Sequence, residues 1–374
     1  MIRESGEHAL PAVAIAHDYL TQKGGAEKVV LALHRAFPEA PVHTTLYEPS
    51  LTYPEFAEVN IKPSPLNRIR LFRRSHRLAL PLLPWAASRV HVAAHHTIAS
   101  SSGWAHGFRT TGSKIVYCYS PARWLYQSDA YLGVGRRGAR RLALSLISPY
   151  LRRWDRQQAQ TASKYFAIST VVQDRIRDAY GIEAEVLPAP HSVDTSLPQE
   201  PVALPSGGAD FPFHLCISRL LPYKNVDAVV EAFNMLGTPL VVVGAGPEEK
   251  RLSSLAGQNV TMLKNLSDGQ IRWLYARCTA VVSASYEDFG LTPIEAAAYG
   301  KPSVVLRWGG FLDTILEGVT GTFFNEPDAR LIAQAVKHSQ NVDWDTKAIT
   351  AHADSFSEQA FAHRLREAMA TVEA

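Results

Sequence analysis

Val281-Val282-Ser283-Ala284-Ser285-Tyr286-Glu287-Asp288-Phe289-Gly290-Leu291-Thr292-Pro293-Ile294-Glu295-Ala296-Ala297-Ala298-Tyr299-Gly300 holds a strand, a loop and the start of a helix in one run. The apolar residues at 280–284 make a short buried strand. Glu287 falls in the loop at its carboxyl end, where Gly290 lets the backbone come close to a ligand. A helix follows from about Thr292. Thr292-Pro293-Ile294-Glu295 reads as a capping box with proline at the first helical position. Capping accounts for Thr292 and Glu295 as well as ligand binding does. It does not account for Glu287, Phe289 or Gly290.

The same unit recurs on both sides of this run. Strands at 214–218, 240–243 and 260–263 lead to helices from about Asn225, Glu248 and Ser267, and strand 303–306 leads to a short helix near Phe311. Toward the N-terminus, Ala12–Ala16 is an apolar strand, followed by Gly24-Gly25 and a helix from Ala26. Further strands fall near Ile115–Tyr119 and Tyr165–Ser169, with a long helix over about Arg140–Ala162. Such alternation predicts parallel sheets with helices on both faces. The stretch 188–212 carries six prolines and Gly207-Gly208, and reads as a linker. The expected organisation is a Rossmann-like domain at 1–190, a linker at 191–212, and a second Rossmann-like domain at 213–352. A C-terminal helix at 353–374 is expected to return toward the first domain. Ligands bind such folds outside the carboxyl ends of the strands.

Composition narrows the function classes. The 374 residues are 46% hydrophobic and 20% charged, as in globular proteins. Cys118, Cys216 and Cys278 have no metal-ligand or redox spacing, which suits a reducing cytosol. Two acids in the first eight residues argue against a signal peptide, and no apolar run approaches a membrane span. The expected location is cytoplasmic, with a peripheral position at the inner face of the plasma membrane. Residues 61–160 hold 17 Lys and Arg against Asp129 and Asp155. Within them, 67–89 and 136–156 mix arginines with apolar side chains. Each is either an ordinary solvated face or a contact for anionic membrane. No zinc spacing, helix-turn-helix or RNP-like motif supports nucleic acid.

Two further loops carry chemistry. Ile217-Ser218-Arg219-Leu220-Leu221-Pro222-Tyr223-Lys224-Asn225 places two cations between a strand end and a helix start. Arginine can fork two phosphate oxygens, lysine acts as a point charge, and a helix N-terminus adds partial positive charge. His17-Asp18-Tyr19-Leu20-Thr21-Gln22-Lys23-Gly24-Gly25-Ala26-Glu27 sets a glycine pair where backbone amides can meet phosphate. Gly244-Ala245-Gly246-Pro247-Glu248-Glu249 follows a strand but lacks the third glycine of a dinucleotide site, and its acids stand where pyrophosphate would lie.

The Glu287…Glu295 pattern, with Gly300-Lys301-Pro302, Gly309-Gly310 and Gly318-Val319-Thr320-Gly321 behind it, resembles the retaining glycosyltransferases of family 4. The resemblance covers most of the chain. It implies an α/β fold of the GT-B type, two Rossmann-like doubly wound domains facing across a cleft, and a metal-independent hexosyltransferase with no cofactor. It assigns Glu287 to the donor sugar's hydroxyls, Glu295 to the nucleotide ribose, and Arg219 with Lys224 to the diphosphate. Gly24 and Gly25 resemble the loop that closes over the donor. Ser218, Lys264, Asp288, Phe289, Gly290 and Leu291 complete the expected donor set. Asp18, Tyr119 and Arg123 are expected on the acceptor side, although Tyr119 stands where similar proteins carry histidine. Glu287, Arg219 and Lys224 are the expected catalytic residues.

The details of these motifs look most like bacterial mannosyltransferases that use GDP-mannose. The implied partners are therefore GDP-mannose and a lipid-linked glycan or glycolipid acceptor. The alternatives are a UDP-sugar donor, a sugar-nucleotide epimerase of the same fold, or a non-enzymatic nucleotide-sugar-binding protein.

Overall fold

A computed structural model describes residues 10–79, 82–127, 139–204 and 212–373. They form two compact units. One takes the described residues up to Pro190 together with those from Phe361 onward, and the other runs His191–Ala360.

The first unit holds β1 (Val13–His17), β2 (Val42–Thr44), β3 (Ile61–Pro63), β4 (His91–Val92), β5 (His96–Ser101), β6 (Arg109–Thr110), β7 (Ser113–Cys118), β8 (Lys164–Ala167) and β9 (Glu185–Val186). Among the described residues, seven of these strands form one sheet in the order β3-β2-β1-β5-β7-β8-β9, and β4 pairs with β6. All the sheet's pairings are parallel. Parallel neighbours need crossovers, which here include the helices Gly25–Ala36, Ala139–Ala159 and Thr170–Tyr180. Ser169 caps the last of these, and Gly181 ends it in the left-handed conformation at φ +69°. The strand order reverses between β1 and β5.

The second unit holds β10 (His214–Ile217), β11 (Leu240–Val243), β12 (Val260–Leu263), β13 (Val281–Ser283), β14 (Ser303–Leu306) and β15 (Gly321–Phe324). Their order, β12-β11-β10-β13-β14-β15, is the doubly wound one, and every pairing is parallel. Side chains alternate across a strand, so each strand feeds two cores. Leu240, Val242 and Val282 pack with Val229, Phe233, Ile332 and Val336 on one face. Val241, Val243 and Val281 pack with Phe213, Trp273 and Leu274 on the other. Each such fully buried apolar side chain stabilises the fold by about 1.5–3 kcal/mol relative to exposure. The alternation expected from the sequence is the one observed.

From His191 onward the described part of the proline-rich stretch belongs to the second unit. Glu200 donates its amide to Gly269 O at 3.0 Å, and Arg272 Nε donates to Pro198 O at 3.0 Å. The C-terminal helix Glu358–Glu373 is tied into the first unit from Phe361 onward. Phe361 meets Tyr117 edge-on at 5.2 Å, and Arg366 donates to Ala36 O at 2.9 Å. Among the described residues, no helix is long and apolar enough to cross a membrane.

Candidate active site

The strand order of the second sheet reverses between β10 and β13, which places their carboxyl-end loops side by side. One loop carries Ser218–Asn225 and the other Ala284–Gly290. Tyr286 donates its amide to Tyr223 O at 3.4 Å, and Asn225 Nδ2 donates to Ala284 O at 2.9 Å. Asn225 sits at φ +49°, a left-handed conformation that asparagine tolerates well, and directs its amide across the gap.

This stitching brings Lys224 onto Glu287. The lysine ends a short turn at Pro222–Lys224 and is only 7% exposed. Its Nζ donates to Glu287 Oε1, and Ser285 Oγ donates to the same oxygen at 3.2 Å. Ser283 Oγ adjoins Ser285 Oγ at 3.0 Å, and the Lys224 ammonium lies 5.0 Å from the Tyr223 ring centroid. The sequence reading gave Lys224 to diphosphate and Glu287 to the sugar as separate tasks, whereas the structure makes them one ion pair. Arg219 is exposed beside them and donates from Nη2 to Tyr223 OH at 3.1 Å. Ser218 begins the same loop, with its hydroxyl donating to Arg219 O.

The Glu287 loop is braced from behind. Gly310 donates its amide to Glu287 O at 3.0 Å, and a Cβ on Gly310 would stand 2.2 Å from the Phe289 backbone. Gly290 takes φ +86°, and a Cβ there would meet the Phe311 ring at 2.6 Å. The Phe289 ring is buried, 6.4 Å from that of Phe356, so this side chain supports the loop and does not line it. Asp288 is also buried, and Leu291 is half-buried.

One expectation, on how the helix after Glu287 starts, needs correction. The helix begins at Leu291 with Gly290 as its N-cap and no side-chain cap, so Thr292 and Glu295 do not form a capping box and Pro293 is not first. Glu295 Oε2 instead accepts a hydrogen bond from Tyr275 OH at 2.7 Å. Lys264 stands beyond the edge strand β12, with β11 between it and β10, and its ammonium pairs with Glu249. Asp18 is 2% exposed, and its carboxylate accepts backbone amides from Ser102, Trp104 at 2.8 Å and Ala105 at 2.6 Å. Those bonds tie the loop after β1 to the loop after β5.

The glycines of Gly244-Ala245-Gly246 serve close packing. Cβ atoms on Gly244 and Gly246 would stand 1.9 Å from Ser218 O and 2.3 Å from Leu220 O. This turn therefore supports the Arg219 loop.

In the first unit, Gly24 is the N-cap of the helix Gly25–Ala36 and offers no side-chain cap. Tyr119 is buried, with its hydroxyl 2.8 Å from Ser100 Oγ and 3.3 Å from Ala26 O, and burial pushes its phenol far above the ordinary range. Arg123 begins the short helix Arg123–Tyr126 and is half-buried. His106 Nε2 lies 2.9 Å from Asp155 Oδ1 in the core, and His96 Nδ1 lies 2.7 Å from Ser113 Oγ. Among the described residues, no group of three His, Cys, Asp or Glu side chains is placed to hold a metal ion.

The basic segments divide. Arg136 and Arg137, and the side chains of Arg77, Arg140 and Arg141, lie outside what the structure describes. Arg152 and Arg156 are fastened to Leu125 O and Ala179 O. Arg68, Arg70, Arg74 and Arg89 are exposed, near in sequence to exposed Leu71 (60%), Leu78, Leu82 and Trp85 (52%). Arg89 stacks over the Trp85 ring at 4.1 Å.

Sequence reasoning missed Tyr275, Ser285 and Asn225. The asparagine before a helix was the one local signal among them, since asparagine favours left-handed turns.

Comparison with known proteins agrees with this architecture. The family model for Glycosyltransferase Family 4 matches residues 23–197, and that for Glycosyl transferases group 1 matches residues 208–341. Together they span most of the chain, which belongs to the family 4 glycosyltransferases and has the GT-B architecture of two parallel-sheet domains. Among curated relatives, it is 28% identical over 233 residues to the GDP-mannose-dependent alpha-(1-6)-phosphatidylinositol monomannoside mannosyltransferase of Mycolicibacterium smegmatis, covering 54% of this chain and 61% of that one. It is 30% identical over 134 residues to the D-inositol 3-phosphate glycosyltransferase of Mycobacterium tuberculosis, covering 33% of this chain and 28% of that one. These matches thus span less than two thirds of the relatives' own lengths. Among solved structures, Anabaena HepE in complex with UDP superposes with a TM-score of 0.67 at 17% identity, covering 96% of this chain and all of that one. Sucrose-phosphate synthase from Thermosynechococcus elongatus superposes with a TM-score of 0.68 at 18% identity, covering 96% of this chain and 99% of that one.

Proposed function

We propose that the protein is a retaining hexosyltransferase that moves mannose from GDP-mannose to a hydroxyl of a lipid-linked glycan or glycolipid at the cytosolic face of the membrane. The Lys224–Glu287 pair at the switch point of the second sheet, with Arg219 beside it, carries this reading. A carboxylate beside two cations suits a ligand with sugar hydroxyls at one end and a diphosphate at the other. Glu287 accepts from the hydroxyls, while Lys224 and Arg219 stabilise the charge that grows on the leaving nucleoside diphosphate. In this reading Glu295, which accepts from Tyr275 OH, takes the ribose.

In the proposed step the acceptor oxygen attacks the anomeric carbon on the face the phosphate leaves. The bond from that carbon to phosphate oxygen breaks with its electron pair going to phosphate. The acceptor's proton passes to a donor phosphate oxygen, and no metal is required. Guanine and mannose are the finer part of the proposal, supported by the relative named as GDP-mannose-dependent. A lipid acceptor draws support from that relative's name and from the exposed arginines and apolar side chains of 68–89. Tyr119 and Arg123 remain the candidate acceptor contacts of the first unit.

A panel of nucleotide sugars with thermal-shift readout, followed by mass analysis of the product, tests this. GDP-mannose should give the largest shift and a product heavier by one hexose. A larger shift with a UDP-sugar would move the donor assignment. Turnover of the sugar nucleotide without an acceptor would favour an epimerase, and binding without turnover would favour a non-enzymatic protein.

A further inference from the structure

Tyr223 lies inside the loop that carries Arg219 and Lys224, and its side chain touches both. Arg219 Nη2 donates to its hydroxyl at 3.1 Å, and the Lys224 ammonium lies over its ring, 5.0 Å from the centroid. The backbone fixes where that ring stands. Tyr223 is the middle residue of the short turn Pro222–Lys224. Lys224 closes the turn by donating its amide to Leu221 O at 3.0 Å, and Asn225 donates its own to Pro222 O at 3.2 Å. Proline at the first position locks φ there. Tyr223 O accepts the Tyr286 amide at 3.4 Å, which stitches the turn to the loop that carries Glu287. All of these residues belong to the second unit.

The chemistry of the partner matters. Arg219 is exposed, and its hydrogen bond goes to a neutral phenol in place of a carboxylate. The phenol takes up one guanidinium N–H and none of the charge, so further N–H donors are left for phosphate oxygens. It also restrains a side chain whose rotamer freedom would otherwise be lost on binding. Lys224 is already paired with Glu287. The electron-rich face of a ring attracts its ammonium without adding a second negative charge. An acid in place of Tyr223 would offset the positive charge that a leaving diphosphate needs.

We propose that Tyr223 is a positioning residue for the diphosphate of the donor: its hydroxyl holds the Arg219 guanidinium and its ring holds the Lys224 ammonium, so one uncharged side chain sets both cations in place and neutralises neither. The inference rests on the transferase reading above, and it needs the second unit alone.

Binding of GDP and of UDP to the full chain should be measured by calorimetry, with donor and acceptor KM and kcat beside it. Tyr223→Phe removes the hydroxyl and keeps the ring. It should weaken the preferred diphosphate and raise the donor KM by about three- to tenfold, with the acceptor KM within about twofold. Tyr223→Leu removes the ring as well and should weaken the diphosphate by a further factor of about two to five. A double-mutant cycle with Arg219→Ala, read in donor kcat/KM, separates positioning from a general loss of structure. Without the guanidinium there is nothing for the hydroxyl to hold, so Tyr223→Phe should then cost less than about twofold.

A diphosphate affinity for Tyr223→Phe within about twofold of the wild type overturns the inference, as does an equal loss with and without Arg219. If Tyr223→Leu does not fold, Tyr223→Phe and the cycle decide. Diphosphate binding lost in Lys224→Ala but untouched by either Tyr223 variant sinks the Tyr223 role and leaves the donor reading standing. Binding of neither diphosphate by the wild type overturns the donor reading and this inference with it.

Discussion

Lys224 and Glu287 lie 63 positions apart in the chain, and their side chains meet as an ion pair beside the junction of β10 and β13. The lysine is nearly buried and the glutamate partly open, so the pair has one face toward solvent. A ligand arriving there finds a carboxylate already oriented by Ser285 and an ammonium already desolvated. Preorganised charge of this kind costs no reorganisation when a leaving group develops its own.

Because the pair acts as a unit, Glu287→Ala and Lys224→Ala should each lower kcat by about two to three powers of ten, and the double variant by little more than the worse single one. Single-turnover kinetics would check this. Fully additive losses would show that the two residues act separately. Glu287→Ala also leaves the Lys224 ammonium poorly paired, which should cost about 1–3 kcal/mol in urea unfolding.

Tyr275→Phe removes only the hydroxyl that orients Glu295. Donor KM should rise about three- to tenfold with kcat unchanged, and stability should fall by about 1 kcal/mol. A normal donor KM would mean that Glu295 needs no such orientation.

Asp18→Asn separates a structural anchor from an acceptor contact. Asparagine offers one acceptor oxygen where three amides converge, so unfolding free energy should drop by about 2–3 kcal/mol. A lowered kcat at unchanged stability would restore Asp18 to the acceptor side.

Acid should destabilise the fold through two buried histidines. Burial holds His214 and His43 down to about 4, below the ordinary value of 6.5. A depressed folded pKa contributes stability above the unfolded pKa and loses it as pH falls, so the loss should run from about pH 6.5 down to pH 4. His214 alone should account for up to about 3 kcal/mol. Replacing it with Phe should flatten that part of the curve, followed by urea unfolding across pH.

Vesicle sedimentation tests the exposed arginines and apolar side chains of 68–79 and 82–89. Binding to anionic vesicles should exceed that to zwitterionic ones and weaken in ~0.5 M salt. Arg70→Glu with Arg74→Glu should reduce it by at least about tenfold, since each cation near such a surface contributes about 1 kcal/mol. Binding that ignores salt and both substitutions would refute electrostatic docking.

The elements of the second unit were legible because their signals are local. Apolar runs such as Leu240–Val243 are buried on both faces, and Ser267 with Gln270 caps its helix as a capping box does. β5 was not legible. His96-Thr97-Ile98-Ala99-Ser100-Ser101 is polar in composition yet buried throughout, with His96 partnered by Ser113 and Ser100 by His17 and Tyr119 on or next to the neighbouring strands. The misread cap at Thr292 has a similar cause. Gly290 and Pro293 allow either start, and Gly290, packed on Phe311, caps the helix two residues earlier.

From sequence by itself came the alternation of strands and helices, the loops that carry Arg219, Lys224, Glu287 and Gly24-Gly25, and the family. These depend on residue types within a few positions of one another. Tertiary structure alone decided that Lys224 closes on Glu287, that Asp18 ties two loops together, and that Lys264 pairs with Glu249. The reason is strand order. β10 pairs with β13 although β11 and β12 lie between them in the chain, and that order follows from burying two faces of one sheet under separate sets of helices. No short window of sequence contains that constraint.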